Sequence, residues 1–436
     1  MMRFLRFAGI VLVAFVALLA FDGWLRQHGF IAAAIMRDWG EVILYGDGKG
    51  SFHEFTTTYP PIAFALNVLA GVPIRWFASL PPPIVIAALL AALLVATWAS
   101  ALRAAGYGGW WSLALTALVG VQPFFLYLAT LGVGAVLLLI AVYWYATAYW
   151  ASRIHGRVSD FMSLALALAF TAFVHPLGAL ICVLTLPFLT LALPPALIAR
   201  SVLNSMLVLL FPLLFALGSF AYENALFEDS ATAFLHNFFG SVLATVPAGN
   251  DTGMPSVLLE IAALLVALAM VVLCHWPADS RRRGTVAALL LVGVALGWGM
   301  SFLWRSDEPT RWREAAMGTT VTVEQSGGAV ALGRYLATRT DVLIDAPAHP
   351  EVLAARGSAR GLVTPTDDVF MLTTFTRQIQ SRFVAVPDPD RPAMLDDDRL
   401  AQTFPKLYAQ GMHGYRLTYD ANGWRVYERN DARNPI

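Results

Sequence analysis

Between two stretches that are almost pure hydrocarbon runs RDWGEVILYGDGKGSFHEFTTTYPP, residues 37–61. Asp38 and Glu41 are three apart, so a helix puts them on one face. Carboxylates on one face are candidates for acid–base work, and plain solvated loop acids are the competing reading. Asp22, just upstream, and Glu54, just downstream, are weaker candidates for the same work. The cations nearby are Arg26, His28, Lys49 and Arg75. At a membrane surface such groups either bind the phosphate of an anionic ligand or anchor to lipid headgroups. GDGKG makes a turn through which backbone N–H groups approach a ligand. Tyr59-Pro60-Pro61 then stiffens the chain where it returns to an apolar run, because proline restricts its own φ and the residue before it.

Further along, His175-Pro176 interrupts an apolar run, where a satisfied turn histidine competes with a cavity-facing one. FEDSATAFLHNFFG offers Glu228, Asp229 and His236 as a lid or an acceptor contact. No His/Asp cluster has metal-ligand spacing, and His53 with Glu54 is too little to define a site, so a divalent metal ion stays an open possibility. Cys182 and Cys274 both lie in apolar runs and read as core thiols rather than a disulfide.

The elements that must position these residues are mostly membrane helices. Of 436 residues 58% are hydrophobic and 13% charged, with zero formal net charge and a mean hydropathy of +0.63. That balance predicts a polytopic membrane protein and gives no support for nucleic-acid binding. Spans are expected at about 4–21, 60–78, 83–102, 110–127, 129–150, 160–175, 177–197, 201–222, 255–274 and 285–304, about 9–11 membrane helices in all. Arg3 and Arg6, Arg153 and Arg157, and Arg281 to Arg283 mark the cytoplasmic side. Parity then requires one segment not to cross, and 60–78, with Pro73 and Arg75, is the expected one. Outer loops are expected at about 22–59 and 223–254.

This divides the chain into a membrane module, 1–304, and a small extracytoplasmic α/β domain, 305–436. In the latter, DVLIDA and RFVAVPDP read as buried strands, and GAVALGRYLATR and DDRLAQTFPKLYAQG as helices. YRLTYDANGWRVYER reads as a hairpin turning on Asn422-Gly423. IAAAIMRDWGEVILY reads as an amphipathic helix lying on the membrane, its apolar face in lipid. Composition and layout place the chain in a bacterial inner membrane, with its N-terminus cytoplasmic.

An acid in the first outer loop, a glycine-punctuated stretch, Phe52 and then Tyr59-Pro60-Pro61 form a series that resembles the integral-membrane glycosyltransferases of the GT-C fold. The likeness is best from about Met1 to Trp150. It implies transfer of a sugar from a polyprenyl-phosphate carrier to a glycan, lipid or protein acceptor, with inversion at the anomeric carbon. By position, Asp38 corresponds to that family's loop acid and would be the base. The sequence departs from the pattern where the family carries a second acid beside the first: Trp39 stands there, and Glu41 is the nearest substitute. A transporter or flippase is the competing reading, set back by the absence of charge from residues 110–152. A non-catalytic scaffold subunit of an envelope polysaccharide system is the third.

Overall fold

The computed structural model describes residues 2–52, 57–77, 80–192, 201–232, 234–235, 256–275, 280–304, 307–321, 328–389 and 398–430. The chain packs as two compact units, one of Met1–Ala32, Phe55–Leu66 and Pro83–Val321, the other of Ala33–Glu54, Asn67–Pro82 and Thr322–Ile436. Their division therefore does not follow the single boundary at residue 304 that composition draws.

The first unit is helical. Six described helices are long and apolar enough to cross a membrane: Arg3–Gln27, Pro82–Ala104, Val133–His155, Val202–Phe227, Leu258–His275 and Arg283–Ser301. A seventh arises if Gly109–Gly120 and Pro123–Leu131 count as one span, though they meet at a 69° bend. Pro123 opens the second of these helices, and its missing N–H and ring end the preceding helical run there. The other expected spans are shorter, at Pro61–Ile74, Val158–Val174 and Pro176–Ala192. Against the expected 9–11, six or seven helices among the described residues meet both length and apolarity.

Helices Val133–His155, Val158–Val174 and Val202–Phe227 supply much of this unit's core, with Tyr145, Leu164, Leu168, Leu209 and Phe220 buried together. Outward faces stay apolar: Val13, Leu207, Phe211, Phe215 and Leu289 are all exposed. Apolar side chains facing outward suit a hydrocarbon solvent and would be costly in water. Helix Asp307–Ala316 packs on the end of Met2–Gln27, where Trp24 Nε1 donates to the Ala315 carbonyl at 3.1 Å.

The second unit is built on a five-stranded sheet of order β2-β1-β3-β5-β4. Its strands are β1 Val342–Leu343, β2 Leu362–Val363, β3 Phe383–Pro387, β4 Tyr415–Ala421 and β5 Trp424–Arg429. β1 runs parallel to both β2 and β3, while β3/β5 and β4/β5 are antiparallel. Parallel neighbours need crossover connections, and helices Pro350–Arg356 and Asp368–Thr376 lie in them. Both faces are covered, as the period-2 alternation requires. Val342 and Ile344 join Leu332, Leu336 and Val352 on one side; Leu343, Val384 and Val386 join Phe370 and Leu400 on the other. The hairpin turns on Asn422 (φ 52°) and Gly423 (φ 78°), the left-handed pair a type I′ turn demands. The expected second helix of this domain is instead two short ones, Arg399–Thr403 and Leu407–Gln410, interrupted around Pro405, which cannot continue a helical ladder.

Helix Ala33–Gly46 corrects the sequence reading. Its apolar side is not left for lipid: Ile43 and Leu44 are buried in the core with Leu332, Val342 and Val352. The helix is a structural part of the α/β unit, recruited from the far N-terminal end of the chain.

Candidate functional site

Asp38 and Glu41 are half-buried on helix Ala33–Gly46. Glu41 lies 4.0 Å from Arg37, one turn back. The helix is fixed from two sides. Asn67, buried in helix Pro61–Ile74, donates from Nδ2 to the Asp38 carbonyl oxygen at 3.0 Å. One turn on, Gly71 lets that helix close on Val42, whose Cγ2 would stand 2.6 Å from a Cβ. Opposite, Gly40 meets Pro350 of helix Pro350–Arg356, and any Cβ there would overlap the Pro350 carbonyl. Helix propensity alone disfavours glycine at such a position; the close approach explains it.

The GDGKG turn is pinned within its own unit rather than left for a ligand. The Asp47 carboxylate accepts from Ser358 Oγ at 2.8 Å, from Ala359 N at 2.7 Å and from Arg75 Nη2 at 3.1 Å. Its burial pushes the carboxyl up, but the Ala359 N–H, the Ser358 hydroxyl and Arg75 outweigh that and hold it below the usual carboxylate range. Lys49 donates to Asp367, and Thr366 Oγ1 to the Lys49 carbonyl at 3.1 Å. Lys49 and Arg75 are thus both ion-paired. Lys49 follows the end of the helix at Gly46, and Arg75 reaches the helix's last turn, its Nη1 3.5 Å from the Ile43 carbonyl oxygen. On the helix itself the neighbouring cation is Arg37. Arg75 lines a surface cavity of about 210 Å³ with Asp47, Trp76, Ser358 and Arg360.

The remaining sequence candidates belong to the first unit. Asp22 is buried near the end of its helix, and its main charged influence is Arg26, one turn on. His28 bonds the Trp24 carbonyl through Nδ1 at 2.8 Å. Tyr59 donates to the Ala172 carbonyl at 2.7 Å and packs near Phe220 and Phe234. Pro60 and Pro61 lead into helix Pro61–Ile74. His175 caps helix Pro176–Thr185, its Nδ1 accepting from Leu177 N at 3.2 Å, which is the satisfied-turn role. Thr57 Oγ1 reaches Glu228 Oε1 at 3.4 Å, and Asp229 sits in the left-handed region at φ 54°. Glu54, His53 and His236 lie outside the described residues. Among the described residues no group of three or more His, Cys, Asp or Glu could hold a metal ion.

Several participants were not picked out from sequence. Asn67 and Arg37 are two; a lone amide in PIAFALNVLAG was the available signal for the first. Asp345, His349 and Asp398 form another buried group just past β1, with His349 Nε2 2.9 Å from Asp398 Oδ2 and Asp345 Oδ2 accepting from Arg399 N at 2.8 Å. None of these falls in a recognisable motif.

Fold and site define a class: a multi-pass helical membrane protein carrying a small mixed-sheet α/β unit. No known family model, curated protein or solved structure matches the chain.

Proposed function

We propose that the chain is an inverting glycosyltransferase, moving a sugar from a polyprenyl-phosphate donor to an acceptor hydroxyl on the extracytoplasmic side of a bacterial inner membrane. The observation that carries this reading is the fixing of Asp38. A half-buried acid stands on a short helix clamped by Asn67 on one side and by Pro350 against Gly40 on the other. Positional rigidity is what a proton acceptor needs, since misplacement of the reacting groups is costly in rate.

In the proposed step the acceptor oxygen forms a bond to the anomeric carbon while the bond from that carbon to the phosphate oxygen breaks. Polyprenyl phosphate departs with the electron pair, and the hydroxyl proton passes to Asp38. Attack opposite the leaving group inverts the centre. By its place in the series that resembles the GT-C enzymes Asp38 is the base, and Arg37, which lies 4.0 Å from Glu41, is a nearby positive charge for the phosphate. The test is product formation in proteoliposomes from a panel of labelled polyprenyl-phosphate sugars, with the anomeric configuration of the product read by NMR. An inverted product supports the reading. A retained configuration, or no transfer from any donor while the chain conducts or flips the lipid, overturns it.

A further inference from the structure

We infer that the second unit carries its own membrane-contact surface, in which helix Asp368–Thr376 and the Trp76-Phe77 segment dip into the boundary between lipid headgroups and acyl chains. The inference rests on the multi-pass reading and not on the transferase one.

Helix Asp368–Thr376 is apolar on both sides. Phe370 is buried in the sheet core beside Leu343 and Val384. The outer side presents Val369 at 43%, Met371 at 53%, Leu372 at 50% and Phe375 at 88% exposure. A helix apolar all round is normally covered on both faces, and a contiguous exposed apolar patch marks a partner or a membrane. The choice of lipid comes from the same unit. Trp76 and Phe77 are 72% and 90% exposed, and Phe77 stands only five positions before Pro82, where a spanning helix starts. Five residues reach at most about 17 Å, so these two aromatics are held near the level of the bilayer, where tryptophan and other aromatics are favoured.

A short run of contacts ties the two features together. Arg75, next to Trp76, pairs with Asp47; two residues on, Lys49 pairs with Asp367, the residue that precedes helix Asp368–Thr376. At the other end of that helix the exposed Arg377 supplies a cation at the rim, able to reach headgroup phosphates while its stem stays in apolar surroundings.

The test uses the full chain in lipid nanodiscs, with a nitroxide attached to single cysteines at Leu372→Cys, Phe375→Cys and, for comparison, Arg334→Cys on an exposed helix face. Cys182 is buried and Cys274 half-buried, and the chain without added cysteine serves as the labelling blank. Oxygen collision rates above those of a water-soluble nickel chelate at 372 and 375, reversed at 334, are expected. Two results overturn the inference: 375 behaving like 334, or protection of 375 from both reagents, which means a protein partner covers the helix. Two positions are labelled because both side chains point outward, so loss of either leaves the core intact. A failed transfer assay would leave this result untouched.

Discussion

At the scale of single residues, the account turns on which acid does what. Asp38 and Glu41 share a helix face, and in the proposed step Asp38 is the base while Glu41 stands 4.0 Å from Arg37. Glu41→Gln should therefore lower transfer by less than about tenfold, whereas loss of a general base removes roughly 10²–10⁴-fold. A second residue-scale prediction concerns Asp345. Burial, and then the like charge of Asp398, push its carboxyl up from 3.8 to about 6. Folding thus holds an anion where it is disfavoured, and the group costs stability above that pH. The cost fades as pH falls towards 3.8, where folded and unfolded chains are protonated alike. Asp345→Asn keeps an oxygen to accept from Arg399 N, so it should stabilise the unit at pH 8 by about 2–3 kcal/mol. Thermal unfolding across pH reads this, with the gain vanishing in acid. Asp47 runs the other way: its carboxyl is held low, so the stability it contributes is present above 3.8 and lost as pH falls through its depressed value.

At the scale of elements, helix Ala33–Gly46 shows what the sequence could and could not convey. Its helicity and the shared face of Asp38 and Glu41 were legible from spacing. Its partner was not, because the covering surface around Pro350–Arg356 is some three hundred residues distant, and in a chain this apolar, lipid is the default cover for any amphipathic face. The hairpin was legible because Asn422-Gly423 is a local signal with a local cause. β2, two residues long, carries no period to read. The 69° break between Gly120 and Pro123 was not legible, because hydropathy does not register a bend. Gly40→Ala is the element-scale test: its Cβ must displace the Pro350 carbonyl, an overpacking that costs about 1–3 kcal/mol. Calorimetry should show the lowered stability, with transfer falling alongside it, whereas Asp38→Asn should lower transfer at unchanged melting temperature.

At the scale of the whole molecule, composition made the multi-pass class plain, and the apolar exteriors of Met2–Gln27 and Val202–Phe227 agree with it. The number of crossings was less legible, since apolar runs of 14 and 17 residues at Pro61–Ile74 and Val158–Val174 look alike to hydropathy whether or not they span. Orientation yields a direct prediction from the arginine clusters. A membrane-impermeant maleimide should label Arg360→Cys in intact cells and label Arg157→Cys only after permeabilisation. The reverse pattern would put the α/β unit in the cytoplasm and remove the extracytoplasmic donor class.

The most direct measurement is the rate of sugar transfer by wild type, Asp38→Asn and Glu41→Gln, reconstituted at equal amounts with the donor that gives product. The account predicts a loss of about 10²–10⁴-fold for Asp38→Asn, with donor binding retained, and a far smaller loss for Glu41→Gln. Transfer by Asp38→Asn at the wild-type rate would contradict it.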